Sequence, residues 1–177
     1  MSAAWPASAF WDFSLELYGR PGVEAACLTL QDGHGLDVNL VLLAAWTACA
    51  GRPLAPPLAR RLRALGDDHQ ARIMQPLRQA RRALKDAEIV GALAPIAADR
   101  RRALLALELD LERLEQLQLE RLAAAAVADA EIPAASLFAA NLEALYPDRE
   151  LPRAVLGHLA GEFPAGRAGT TCEEQSP

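Results

Sequence analysis

Lysine is almost missing from this chain: of 18 basic residues in 177, only Lys85 is lysine. Beside abundant alanine, that bias reflects a GC-rich genome more than a demand for guanidinium chemistry, so arginine number alone points to no anionic partner. Aromatic residues make up 5% of the chain, and none interleaves with the arginines of the basic segment. That excludes the stacking platforms of a nucleic-acid binder, and the net charge of −5 agrees. Val, Ile, Thr, Tyr and Phe are scarce beside Leu and Ala, which leaves little to build strands from. The three cysteines, Cys27, Cys49 and Cys172, lack metal-type spacing, and no second His or Cys is placed to complete a zinc site. No apolar run approaches the ~20 residues of a bilayer span; the longest goes from Leu40 to Trp46 and on to Ala50. The start, M-S-A-A-W-P-A-S-A-F-W-D-F, has no basic leader or apolar core of a signal peptide. A reduced, cytoplasmic setting is expected, with no cofactor, metal or membrane.

What is present, 52% hydrophobic and 23% charged residues, suits one globular domain with a substantial core. Apolar periodicity predicts an all-α, single-domain helical bundle over residues 1–163, with one long helix and a C-terminal helical hairpin, followed by a disordered tail over 164–177. Ser8 caps a first helix that Gly19 stops, and Pro21 opens a second that Asp32-Gly33 ends. Asp37 opens a third, apolar on most sides and therefore central, running to Ala50. Leu58 to Leu65 makes a short helix closed by Gly66, and Asp67 or Asp68 caps the next, towards Lys85, with a kink or restart at Pro76. The longest helix is expected from Asp99 to near Val127, and two shorter ones from Pro133 to Tyr146 and from Pro152 to Phe163.

Charge is distributed unevenly. Residues 1–51 carry one basic and five acidic groups (−4), residues 52–102 twelve and five (+7), and residues 103–177 five and thirteen (−8). In P-L-R-Q-A-R-R-A-L-K, Arg78, Arg82 and Lys85 fall on adjacent turns with Arg81 one step round, a row that could grip a phosphate or an acidic partner. The plainer reading is that the row pairs with carboxylates of its own chain. The long helix supplies them, since Glu108, Asp110, Glu112, Glu115 and Glu120 form a mostly acidic face.

The polar turn ahead of the central helix gathers Gln31, Asp32, His34, Asp37 and Asn39. These residues could form a ligand site or an acid–base pair, but their spacing is not that of an EF-hand. Capping and turn chemistry is the simpler account: Asp32-Gly33 and Gly35 for the turn, Asp37 for the orphan N–H groups. Asn39 resists it, because an amide among Val38, Leu40 and Val41 must find partners or cost on the order of 1–3 kcal/mol. Leu104, Leu107, Leu111 and Leu114 follow a 3-4-3 spacing that could seed a coiled coil, with packing inside the bundle the expected use. Trp5, Trp11 and Trp46 read as anchors, and His69 and His158 stand alone.

The string F-W-x-F-S-L-x-L-Y-x-x-P-G-V-x-x-A-C-L-x-L-Q-D-x-x-G-x-D-V-N-L from Phe10 to Leu40, with Trp46 and the P-L-R-x-x-R-x-x-L-K run from Pro76 to Lys85, resembles a small proteobacterial family of conserved hypothetical proteins, a domain of unknown function. The likeness spans about residues 10–122 and leaves 132–163 as an extension. Where the family pattern carries a tryptophan ahead of the P-L-R run, this chain has Arg72 and Ile73. The resemblance implies a bacterial cytosolic protein and carries no chemistry.

The expected function is a non-enzymatic interaction or regulatory module whose partner is another protein or a second copy. The alternative is an anionic small molecule, or a small enzyme's substrate, in a pocket between the Gln31–Asn39 turn and Arg78, Arg82 and Lys85. No catalytic set is visible.

Overall fold

The computed structural model describes residues 4–127 and 132–164. Helices α1 (Ala9–Tyr18), α2 (Val23–His34), α3 (Val38–Cys49) and α4 (Pro56–His69) are followed by a π-helical turn (Gln70–Met74) and α5 (Gln75–Asp86). A 3₁₀ turn (Gly91–Leu93) leads into α6 (Ala94–Ala123), and α7 (Ala134–Leu145) and α8 (Arg153–Gly161) complete the order. The all-α bundle with one long helix and a C-terminal helical pair is the architecture expected from periodicity. The expected tail lies, from Ala165 on, outside the described residues.

α3 is the centre because nearly every position is apolar: Leu40, Val41, Leu42, Leu43, Ala44, Ala45 and Ala48 are all buried. It packs most extensively on α7, with α1, α2, α4 and α6 around it, while α8 lies against α2 and α7. Asp37 caps α3 as expected, its Oδ1 accepting from the N–H groups of Asn39 and Leu40. Ser8 likewise caps α1 by accepting from Trp11 N–H at 2.9 Å. Tertiary structure adds a second cap that no local signal announces. Glu120 of α6 accepts from the N–H groups of Ala9 and Phe10 and from Ser8 Oγ, at 3.0, 3.2 and 2.6 Å, placing a carboxylate at the positive end of α1.

Several expected boundaries move. α2 passes through Asp32-Gly33 and ends at Gly35, whose φ of 61° is the left-handed cap that glycine favours. Gly66 does not close a helix; it sits inside α4, buried, where a Cβ would lie 3.1 Å from Leu40 Cδ1. Glycine is there for close approach of α4 to α3, which outweighs its poor helix propensity. Asp67 and Asp68 consequently cap nothing and pair along the helix surface with Arg63 and Arg72. The irregularity expected at Pro76 appears just before it: Gln75 N–H donates to the Gln70 carbonyl five residues back, and Pro76 then starts α5 where its missing N–H costs nothing. The long helix begins at Ala94, with Pro95 in its first turn, and ends at Ala123.

The hydrophobic core has a gap. The buried members of its main cluster run from Phe10 to Leu62 and resume at Leu119, and in the interval only Met74 and Leu117 are buried apolar residues among the described residues, both outside that cluster. The intervening chain forms an arm, in which α5 packs on α6 and on the π turn. No residue of α5 is fully buried.

The fold yields one stability expectation. Glu120→Ala should cost about 1–2 kcal/mol in urea denaturation, since it strips the second cap of α1 and leaves Ser8 without its partner. Amide exchange should accelerate most in α1; an unchanged α1 would show that its apolar packing alone holds it.

Candidate functional site

A buried polar layer lies where the arm joins the core. Its centre is Asn39, which donates from Nδ2 to Glu115 Oε2 at 2.7 Å and accepts at Oδ1 from Gln116 Nε2 at 2.8 Å. Asn39, Glu115 and Gln116 are all buried. His69, at the last turn of α4, brings Nε2 to 3.8 Å from the same Glu115 oxygen. Asp37 anchors the other side, its own N–H donating to the Tyr146 hydroxyl at 2.9 Å. The Arg63 guanidinium covers the Tyr146 ring at 4.3 Å.

The layer continues outward as a ladder of ion pairs between α5 and α6. Arg78 Nη2 donates to Glu112 Oε1 at 2.8 Å, and Nη1 lies 3.4 Å from Gln70 Oε1. Arg81 holds Glu108 with both Nε and Nη2, at 2.5 and 3.2 Å, a fork on a carboxylate that is itself buried. Glu108, Glu112, Glu115 and Gln116 share one face by their spacing, and the π turn, which packs on α6, supplies Gln70 to Arg78.

Carboxyl groups outnumber guanidiniums here, and the excess shows in proton affinity. Burial, reinforced by the charge of Asp37, pushes Glu115 up to about 8, which favours its protonated form near neutral pH. Burial likewise raises Asp37 and Glu112, against the pull of Arg78 and, for Asp37, of its helix-capping hydrogen bonds. His69 moves down, chiefly by desolvation, and stays uncharged. Glu115 Oε1, Gln116 Oε1, Asp37 Oδ2 and His69 Nε2 are buried with no hydrogen-bond partner in the protein. Retaining a proton on Glu115 is the less costly state in such surroundings.

Of the eight residues suggested by sequence, Asp37, Asn39 and Arg78 converge on this layer. Gln31, Asp32 and His34 ride on α2 instead of forming a turn, and the His34 carbonyl accepts from Arg149 Nη1. Arg82 and Lys85 are exposed on the outside of α5, with no ion pair among the described residues. Arg78 is engaged by Gln70 and Glu112 on the side of α5 nearest the turn. An open cavity of about 1070 Å³ lies elsewhere, between α7 and α8, where Arg149 and Arg153 face Phe138 and Leu156. Sequence reasoning missed His69, Gln70, Gln116 and Tyr146, because each acquires meaning only from a distant partner. The signal that existed was the Glu108, Glu112, Glu115 spacing opposite Arg78 and Arg81.

Other reactive groups are muted. Burial raises Cys27 and Cys49 to about 11, leaving neither a ready thiolate. Among the described residues no group of three or more His, Cys, Asp or Glu is placed to hold a metal ion, and no helix is long and apolar enough to cross a membrane. Arg113 stacks on Trp5 and Trp11 at 5.0 and 5.1 Å, fixing α1 and the segment ahead of it to α6.

Fold and site together define a helical bundle with a polar-locked helical arm. Residues 9–119 match the family described as a protein of unknown function (DUF2390), and the chain belongs to that family. No curated protein and no solved structure matches the chain. The match spans α1 to most of α6 and therefore the whole polar layer except Tyr146, whereas α7 and α8 lie beyond it.

The proton on Glu115 makes stability depend on pH. An unfolded glutamate ionises near 4.5 while the folded one holds its proton to about 8. Its stabilising contribution is thus whole below pH 4.5 and drains away as pH rises through 8. Glu115→Gln, neutral throughout, should gain stability over the parent between pH 5 and pH 8 by on the order of a few kcal/mol. Parallel stability–pH curves for the two proteins would contradict a neutral Glu115.

Proposed function

We propose that this protein is a non-enzymatic interaction or regulatory module of the bacterial cytosol, and that its working surface is the α5–α6 arm. The supporting observation is an inversion of α6. Its N-terminal half turns Glu108 inward and leaves Leu105, Leu107 and Leu109 exposed, with Leu114 also open one turn further on. Ile73, Val90, Leu93 and Ile96 are exposed apolar residues of the arm as well, and Ile96 shares the side of α6 that carries Leu107 and Leu114. The stripe that periodicity assigned to the bundle interior, Leu104 to Leu114, is thus half outside, with Leu107 at 44% and Leu114 at 38% exposure. The exposed stripe of Ile96, Leu107 and Leu114 marks a surface that a partner covers. Glu108 and Glu112 are paired within the chain by Arg81 and Arg78.

The module reading predicts a separation of stability from association. Leu107→Glu with Leu114→Glu should leave the melting temperature within about 2 °C, because exposed positions contribute little to folding. In native cell extract the parent should elute in an assembly larger than its own chain and the variant should lose it. If parent and variant both elute as the single chain, the reading fails. A thermal shift by phosphorylated metabolites that Arg82→Ala abolishes would favour the anionic-ligand alternative.

A further inference from the structure

Ile96, Arg100, Ala103, Leu107, Asp110 and Leu114 recur on α6 at steps of four and three, forming one stripe, and all six are exposed. The stripe is ~27 Å long at 1.5 Å per residue, and it lies away from the face that holds Glu108 and Glu115. Read backwards, it complements itself. In an antiparallel pair of α6 helices related by a two-fold axis at the level of Leu105, Ile96 meets Leu114, Ala103 meets Leu107 and Arg100 meets Asp110. Each match occurs twice, so the small alanine receives the leucine knob of the other helix on both sides of the axis and two ion pairs close the layer.

Other arrangements do not share this match. A parallel pair in register sets Arg100 on Arg100 and Asp110 on Asp110, and like charges at a helix interface repel. Sliding the antiparallel pair by one heptad either way separates both ion pairs and puts Asp110 opposite a leucine. Charge therefore selects one orientation and one register while the apolar positions supply burial.

We infer that the partner covering the α6 stripe is a second copy of this chain, paired antiparallel about Leu105. This deepens the interaction-module reading and rests on it, naming the occupant of the arm. It also suits the construction of the arm, since α5 buries nothing fully and a second α6 would give that two-helix layer an apolar neighbour.

Sedimentation of the purified full-length chain at tens of micromolar should give a dimer. Arg100→Glu should weaken it roughly tenfold by placing carboxylates in opposition, and the exchange Arg100→Asp with Asp110→Arg should restore it to within about threefold. For register, Ala103→Cys and Leu107→Cys are made separately with Cys49 and Cys172 replaced by serine. Mixed and oxidised, the two should cross-link several-fold faster than either alone. A monomeric parent, a charge exchange that does not restore association, or faster cross-linking within a single variant would each overturn the pairing. A monomeric purified chain whose assembly in extract is still lost with Leu107→Glu and Leu114→Glu would leave the interaction module standing with a different partner. Absence of any assembly would remove both.

Discussion

The contact between Asn39 and Glu115 sets the terms for much of what surrounds it. It joins the first turn of the central helix to the C-terminal half of the longest one, with both side chains buried. An amide there must be paired, and pairing it fixes the rotation of α6 about its own axis. Once Glu115 faces α3, Glu108 and Glu112 face α5, and α5 must present Arg78 and Arg81 in return. The leucines between them are carried outward by the same rotation.

This arrangement explains why the arm can exist without a hydrophobic core of its own. An ordinary helical pair is held by apolar stripes, at ~25 cal/mol for each Å² removed from water. Here part of that work passes to guanidinium–carboxylate forks that are half-buried, where they are screened less than at the surface. Such pairs are poor at adding stability and good at imposing orientation. The proton on Glu115 fits the same economy, since Arg78 and Arg81 are already engaged by Glu108 and Glu112 and a further carboxylate in this layer would have no guanidinium of its own. The core and the arm thus use different physics, and the π turn (Gln70–Met74) lies at the change.

Parts of this were legible residue by residue. Ser8 and Asp37 announced their caps, because a short oxygen-bearing side chain ahead of an apolar run has few other uses. The burial of α3 followed from Leu and Ala on every side of it. Asn39 was recognisable as a polar group in need of partners, and the acidic face of α6 was recognisable as a source of them, but not which carboxyl would reach it. Gly66 was read as punctuation because glycine usually is; only the approach of Leu40 gives it another purpose. Arg82 was read into the row with Arg78 and Lys85 and Arg81 as one step round, whereas it is Arg81 that makes the fork on Glu108 and Arg82 that is solvated.

The sequence by itself determined helical class, the order of the helices, the caps of α1 and α3 and the centrality of α3, since these depend on neighbours within a few residues or on composition. Tertiary structure decided which face of α6 looks inward, and with it the fate of the arginine row, the protonation of Glu115 and the exposure of the leucine stripe. Periodicity records which residues share a face and carries no mark of where that face points. On α6 an apolar and an acidic face competed for the interior, and the acidic one prevailed because Arg78, Arg81 and Asn39, dozens of residues away along the chain, were folded into position to receive it.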